Sequence, residues 1–159
     1  MSESKFKTLR HMEAVRNFMT AFAVALLDRA QAHDQSKLQS PEAEIFEEYT
    51  PKLRQCSYDS EEYRGYLKEM QVALDHHYAK NRHHPEHFKN GIRDMNLFDI
   101  VEMVCDWKAA TLRHNDGNIL KSLAQNQERF GFSDELKQIM QNTVEVLEQM
   151  DVPHHAEES

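Results

Sequence analysis

The sequence predicts an all-α fold, a single compact bundle of about six helices, and two observations support that prediction. Apolar residues recur at three- and four-residue spacings along most of the chain, which is the period of an amphipathic helix. Glycine and proline are scarce, with four of each among 159 residues, whereas sheets and their turns use more glycine. The length suits one domain. We expect residues 1–150 to form a single all-helical domain and residues 151–159 to form a flexible tail.

The first two helices are predicted from an apolar stripe and a capping pattern. A long helix over about 5–32 is indicated by six apolar side chains at helical spacing: Phe6, Leu9, Val15, Phe18, Phe22 and Leu26. Ser40 and Pro41 are typical of the N-cap and the first residue of a second helix. That helix should end near Tyr49, because Pro51 lacks the backbone N–H that the next turn needs and should restart or bend it.

The rest of the chain is predicted to hold four more helices and one long loop. The helices are expected at about 60–79, 97–114, 118–130 and 134–150. Ser60 and Ser133 are typical N-cap residues, and Gly131 is typical of a helix end. Between the third and fourth helices, Pro85 and Gly91 indicate an irregular loop.

Composition and charge exclude several classes of function. A formal net charge of −8 disfavours an extended nucleic-acid surface. The longest apolar run, residues 21–27, is too short to cross a bilayer, so we expect no membrane association. Cys56 and Cys105 form no disulfide framework, which suits a reducing compartment. The N-terminus lacks the layout of a signal peptide. The sequence therefore predicts a cytoplasmic protein.

Histidines are concentrated in one short segment. The stretch DHHYAKNRHHPEHF, Asp75–Phe88, holds five of the ten histidines in the chain. The distinctive capacities of histidine are titration near neutral pH and metal ligation through a neutral ring nitrogen. Candidate ligands follow one another along the chain in this order: His33 and Asp34, His76 and His77, His83 and His84, Glu102 and Asp106. This mixture of imidazole and carboxylate suits Fe, Mn, Zn or Ni, as one ion or two.

The stretch HDQSKLQSP, which contains the His33–Asp34 dyad, resembles the HD superfamily of metal-dependent phosphohydrolases. It is most similar to the two-metal branch that includes the HD-GYP phosphodiesterases, in which a lysine and then a proline follow the dyad, here Lys37 and Pro41. The resemblance implies an HD-domain-like bundle with five metal ligands: His33, Asp34, His77, His84 and Asp106. His76 and His83 remain alternatives to their neighbours.

The same resemblance implies a substrate and a set of roles. Asp34 and Lys37 would be catalytic, and Lys37 would hold the phosphate of a nucleotide or another small phosphoester as a point charge. Arg82, in the histidine-rich loop, could neutralise a second phosphate. Glu102 could be a further ligand, a carboxylate that orients a histidine, or a salt-bridge partner on the helix face.

His11 is the only candidate for the additional upstream histidine of HD proteins. It precedes His33 by 33 − 11 = 22 residues, or roughly 33 Å along a straight helix. Both residues could bind one ion only if the helix breaks near the segment DRAQAHD. Otherwise His11 serves elsewhere, for instance across a homodimer, or the HD analogy is imperfect.

A second resemblance covers most of the chain. The segments AHDQSK, NRHHPEHF, GIRDMNLFDIVEMVCDWKAATLRH and NQERFG resemble a family of uncharacterised bacterial and phage proteins. That family brings no established activity.

Three alternatives to a hydrolase of the HD type stay open. The carboxylates around EMVCDW, with Glu44, Glu47 and Glu48 upstream, resemble those of the all-helical nucleotide pyrophosphatases, which bind Mg. A two-iron version of the His/Asp site could activate oxygen, as in an oxygenase. A metal ion could also stabilise a non-catalytic interaction protein.

Overall fold

The computed structural model describes residues 2–57, 60–112, 117–150 and 152, and every regular element within them is helical. The predicted all-α class is thereby confirmed. The α-helices of these residues are α1 (Glu3–Ala32), α2 (Glu42–Gln55), α3 (Glu61–Glu69), α4 (Gln71–Lys80), α5 (Leu97–Thr111), α6 (Ile119–Phe130) and α7 (Asp134–Glu148). Short 3-10 helices lie at Gln35–Leu38, Pro85–His87 and Gly91–Asp94. The chain divides into two units, Met1–His33 and Asp34–Ser159.

The first unit consists of α1, a helix of 30 residues. Its N-terminus is capped by the side chain of Ser2, which accepts a hydrogen bond from the backbone N–H of Lys5 at 3.3 Å. The helix continues without interruption to Ala32. A break near DRAQAHD, one of the three alternatives for His11, is therefore absent up to Ala32, and His11 lies about 33 Å along the helix axis from the position of His33.

Helix α2 is longer than predicted, because it passes through Pro51 and ends at Gln55. The expected end near Tyr49 was wrong. Proline removes one backbone N–H, but its fixed φ near −65° is itself compatible with a helix. The carboxylates of Glu42 and Glu44 occupy the first turn, where they face the positive end of the helix dipole.

The third predicted helix is two helices, since α3 ends and α4 begins at Met70. Met70 has φ −80° and ψ 0°, well away from the ψ near −42° of a regular helix. Its side chain is buried. Periodicity cannot detect this division, because the sequence on either side is equally helical. The predicted cap is present, and the Ser60 hydroxyl accepts from the backbone N–H of Tyr63.

The largest buried apolar cluster of the second unit lies among α5, α6 and α7. We call it the apolar core, and its buried members are Met103, Val104, Ile119, Leu123, Phe132, Met140 and Val144. Trp107 packs against it and stacks on Phe130 with their ring planes 5° apart. Gly131 ends α6 in the left-handed conformation, φ 65°, which glycine adopts at little cost. Ser133 caps α7 as predicted.

Two predictions fall largely outside the described residues. The helix break at HNDGN includes residues 114–116, and the predicted tail spans 151–159, of which the structure describes only Val152. Among the helices that are described, none combines the length and the apolar character needed to cross a bilayer.

Candidate metal centre

Asp34 lies in the turn that precedes the 3-10 helix Gln35–Leu38, and its backbone is unusual. Its φ of 57° and ψ of 13° are left-handed, and it is the one non-glycine residue with a positive φ in the described ranges. Aspartate and asparagine tolerate this conformation better than most residues, because their short polar side chains can bond locally. A strained residue that is also chemically active is a reasonable starting point for a functional hypothesis.

The histidines reach Asp34 from α4 and from the loop that follows it. His77 lies in the last turn of α4, where Met70, Ala73 and His77 form one buried stripe at three- and four-residue spacing. Asn81 ends the helix, and its side-chain amide donates to the carbonyl oxygen of His77 at 2.9 Å. The turn that follows places His83, which is 1% exposed, beside Asp34.

Four side chains converge at this point, and we call them the histidine cluster: Asp34, His77, His83 and His84. Each offers one ligand atom, and these atoms all lie within 4.8 Å of one another. Oδ1 of Asp34 is 3.3 Å from Nε2 of His77 and 3.5 Å from Nε2 of His83. Nε2 of His77 is 2.9 Å from Nε2 of His84. Three imidazoles and one carboxylate form a donor set that suits a divalent transition metal.

Asp106 of α5 borders the same cluster. Its carboxylate, together with Asp34 and His83, also offers ligand atoms within 4.8 Å of one another. The negative charge of Asp106 acts on His84 as well, since it favours the protonated form of that ring. Asp34 thus belongs to both groups, and a carboxylate of this kind can bridge two cations.

Glu42, at the start of α2, contacts Nδ1 of His77, the ring nitrogen opposite the one that faces Asp34. The carboxylate is fully buried and lies 2.8 Å from Nδ1 of His77, 2.7 Å from Nδ1 of His76 and 3.0 Å from the hydroxyl of Ser36. The two amide hydrogens of Asn81 are accepted by the Ser36 hydroxyl and the His77 carbonyl. Nδ1 of His77 therefore donates to Glu42, which leaves the lone pair on Nε2, facing the cluster.

Glu102 of α5 lies in ion-pair contact with His83 on the side of the ring that faces away from Asp34. Its Oε1 is 3.0 Å from Nδ1 of His83, while Nε2 of that ring faces Asp34. Histidines that ligate metals commonly donate their other ring N–H to a carboxylate, which fixes the tautomer and the ring orientation. Of the three roles open to Glu102, this geometry favours orientation of a histidine.

The protonation states favour metal ligation. Burial lowers the pKa of His84 to about 3, assisted by the neighbouring rings of His83 and His77 and opposed by Asp106 and Asp34. Burial, followed by the charge of Lys37, also holds the pKa of His77 below its ordinary value. Both rings are therefore neutral near pH 7, as ligands must be.

Glu42 remains ionised although it is buried. Burial alone would raise the pKa of its carboxyl group, but hydrogen bonds from His76, Ser36 and His77 outweigh that effect and bring the pKa below its usual value. An ionised Glu42 can accept the His77 N–H as a strong, charge-assisted hydrogen bond.

Lys37 stands at the edge of the histidine cluster. Its Nζ contacts Oδ2 of Asp34 at 2.5 Å, which is the oxygen opposite the one that faces His77 and His83. The ammonium group also lies 5.5 Å from the centre of the Phe46 ring. One carboxylate thus separates the lysine charge from the converging imidazoles, so a cation and the lysine need not compete for the same oxygen.

Arg82, predicted to bind substrate, lies in a different setting. Its guanidinium group donates two hydrogen bonds to the buried carboxylate of Asp99, at 3.1 Å and 3.0 Å, and stacks over Phe88 at 4.8 Å. Asp99 also accepts from the backbone N–H of Asn96 as part of the capping box of α5. Arg82 therefore ties the histidine-rich loop to the start of α5, and a role in substrate binding stays a prediction.

The predicted ligands differ in how the structure places them. Asp34, His77 and His84 share one group of ligand atoms with His83, and Asp106 joins Asp34 and His83 in the other group. His33 is the C-cap residue of α1 and the last residue of the first unit. His33 as a ligand stays a prediction from its position beside Asp34 in the chain.

Sequence reasoning missed Glu42 and left His83 undecided. The stripe of Met70, Ala73 and His77 could have identified His77 as the inward-facing member of its pair, since it has helical spacing. Glu42 carries no such signal, because an acidic residue in the first turn of a helix is common on the surface.

Comparison with known proteins identifies the family but no activity. The sequence model of a family of unknown function (DUF5662) matches residues 1–151, so the chain belongs to that family. No curated protein and no solved structure was found to match it.

Proposed function

We propose that this member of the DUF5662 family is a cytoplasmic, metal-dependent phosphohydrolase with an HD-domain-like bundle, acting on a nucleotide or another small phosphoester. The observation that supports this proposal best is the convergence of Asp34, His77, His83 and His84 within 4.8 Å beside the ammonium group of Lys37. Bound metal can activate water and a neighbouring cation can stabilise the developing charge, which are two ways in which enzymes accelerate the hydrolysis of a phosphoester.

The proposed ligands are the histidine cluster together with Asp106. His77 and His83, whose Nδ1 atoms lie 2.8 Å and 3.0 Å from the carboxylates of Glu42 and Glu102, direct their Nε2 atoms toward Asp34 without rearrangement. Such outer carboxylates increase the basicity of the rings they orient. A divalent Fe, Mn, Zn or Ni ion held there would lower the pKa of a coordinated water and supply hydroxide near neutral pH.

Lys37 is the proposed phosphate-binding group. A lysine is repelled by a cation and attracted by an anion, and its flexible stem allows the ammonium to leave Asp34 for a phosphate oxygen. Its ion pair with Oδ2 of Asp34 keeps it at the edge of the site until a substrate arrives. Negative charge that develops on the phosphoryl group would then be stabilised by Lys37.

A non-catalytic, metal-stabilised protein is the second candidate, and the burial of the cluster favours it. His77 and His83 are 2% and 1% exposed, and four protein ligands can complete a tetrahedral site. Closed four-coordinate sites are typical of structural zinc, whereas catalytic sites keep a position for water.

The experiment that separates these candidates has two steps. Elemental analysis of purified protein would first identify the metal and its stoichiometry. Release of inorganic phosphate would then be measured across nucleoside phosphates and simple phosphoesters, with that metal and with Mn, Fe, Ni and Zn added in turn. Turnover that disappears on chelation supports the hydrolase. Bound zinc at one equivalent, with no phosphate release under any metal, supports the structural alternative.

A further inference from the structure

We propose that a cleft along α2 binds the nucleoside portion of a nucleoside monophosphate, a proposal that deepens and rests on the hydrolase function above. The cleft has a volume of about 530 Å³. Small-molecule sites generally fall between about 300 and 1,000 Å³. The space therefore accommodates a ligand much larger than inorganic phosphate or a simple sugar phosphate.

The cleft begins at the histidine cluster. Lys37 belongs to its lining and also contacts Asp34 through its ammonium group. Phe46, another lining residue, has its ring centre 6.1 Å from that of His77, with the planes 79° apart. Lys37 and Phe46 are therefore shared by the two sites. A ligand whose phosphate meets Lys37 would extend its remaining atoms into the cleft.

One face of α2 supplies most of the lining. Phe46, Thr50 and Arg54 follow one another at four-residue spacing, which places their side chains on the same side of a helix. From Phe46 to Arg54 the helix rises by about 12 Å. The wall is thus long enough to accompany a sugar and a fused ring attached to the phosphate.

The chemistry of the lining suits a nitrogen heterocycle. Phe46 and Pro51 offer apolar surface, and Arg54 offers a planar guanidinium group that stacks on aromatic faces. Glu47 and Gln55 provide hydrogen-bonding groups beside them, as the polar edge of a base requires. We therefore infer a purine nucleoside monophosphate as the ligand class.

The test uses the metal-loaded protein of all 159 residues and measures binding separately from hydrolysis. Calorimetry with adenosine 5′-monophosphate, guanosine 5′-monophosphate and ribose 5-phosphate would compare ligands with and without a base. We expect the nucleotides to bind about tenfold more tightly, since stacking of a base on an aromatic side chain has an effect of this size. Phe46→Leu and Arg54→Gln should remove most of that preference and leave ribose 5-phosphate affinity unchanged.

Matched controls lie on the same helix outside the cleft. Tyr49→Leu removes an aromatic ring that packs against Tyr66, and Lys52→Gln removes a cation that pairs with Glu48. Both controls should keep the nucleotide preference of the unmodified protein. Metal content would be measured in every variant, because Phe46 also contacts His77.

The possible outcomes distinguish failure of the cleft proposal from failure of the proposed hydrolase function. Equal affinity for nucleotide and ribose 5-phosphate, including no binding of either, overturns the cleft proposal even if phosphoesters are hydrolysed. The same conclusion follows if Phe46→Leu and Arg54→Gln retain the preference. Selective, cleft-dependent nucleotide binding with no phosphate release under any metal supports the cleft and contradicts the hydrolase.

Discussion

The second unit buries two groups of side chains of opposite character. The apolar core among α5, α6 and α7 contains methionine, leucine, isoleucine, valine and phenylalanine. The histidine cluster, with Glu42 behind it, buries imidazoles and carboxylates. Helix α5 contributes to both regions, because Met103 and Val104 face the core while Glu102 and Asp106 face the histidines.

Because one region is apolar and the other is polar, different interactions stabilise them. Apolar burial contributes about 25 cal/mol per Å² whatever else is bound. Buried polar groups cost free energy unless they are hydrogen-bonded or coordinate a metal. The stability of the core should therefore be independent of metal, whereas that of the histidine cluster should depend on it.

The largest expected effect comes from removing the carboxylate at the centre of the histidine cluster. Asp34→Asn keeps the shape of the side chain and tolerates the left-handed backbone, but it removes an anionic ligand. A metal at a thousandfold excess over its Kd stabilises the native state by about 4 kcal/mol. We expect this increment in the unmodified protein and expect Asp34→Asn to lose it, together with the bound metal.

The measurement is chemical denaturation with metal and with chelator, combined with elemental analysis. Asp75→Asn, an exposed change on α4, is the matched control and should behave like the unmodified protein. If metal stabilises Asp34→Asn as much as the unmodified protein, Asp34 is not a ligand.

A substitution in the apolar core should be nearly as costly but indifferent to metal. Leu123 is 0% exposed, and Leu→Ala at such a site destabilises a protein by about 2–5 kcal/mol through lost burial and the cavity left behind. We expect a loss near the middle of that range, equal in metal and in chelator. Leu120→Ala, at an exposed position on the same helix, should cost far less. A loss that changes with metal would show that the two regions are energetically coupled.

The sequence predicts the apolar core better than the histidine cluster, for a physical reason. Helical periodicity reports which side chains share a face, so α5, α6 and α7 could be placed to within a few residues. Their caps at Ser133 and Gly131 were equally visible, because capping is a local interaction. The break at Met70 was not, since local helix propensity is the same on both sides of it.

For the site, the sequence supplied the chemical types but not the pairings. The sequence singled out Asp34 and the pairs His76–His77 and His83–His84 as candidates because their composition is unusual, and Asp34, His77, His83 and His84 converge in the structure. The burial of Glu42 against His76 and His77 depends on packing across 34 and 35 residues. The bidentate pairing of Arg82 with Asp99 spans 17 residues. Contacts between distant segments of this kind leave no periodic signal.

Substitution of Lys37, at the edge of the histidine cluster, tests whether this residue binds substrate or has only a structural role. Lys37→Ala should leave metal content unchanged, because the lysine contacts Oδ2 of Asp34 and not the converging histidine nitrogens. Turnover should fall by about 10²-fold, the scale of losing one group that stabilises developing charge. Lys37→Glu should be worse, since it places a negative charge beside the phosphate.

Steady-state kinetics on whichever phosphoester is hydrolysed, with parallel metal analysis, would measure this effect. Lys52→Ala, on the neighbouring helix α2, serves as the control cation. Unchanged turnover in Lys37→Ala, alongside loss of activity in Asp34→Asn, would remove the phosphate role from Lys37.

The smallest effect is expected at Glu102, where α5 connects the two regions. Glu102→Gln keeps an oxygen that can accept from Nδ1 of His83 but removes the negative charge that makes the ring more basic. Loss of such an outer carboxylate typically weakens metal affinity by about 10- to 100-fold. Stability in chelator should change little, since the apolar side chains of α5 are untouched.

Titration against a metal indicator gives the metal affinity of Glu102→Gln, and denaturation in chelator gives its stability. Glu145→Gln, on the exposed surface of α7, controls for the loss of one negative charge. If Glu102→Gln lowers stability in chelator as much as in metal while affinity stays unchanged, Glu102 supports the packing of α5 and does not tune a metal ligand.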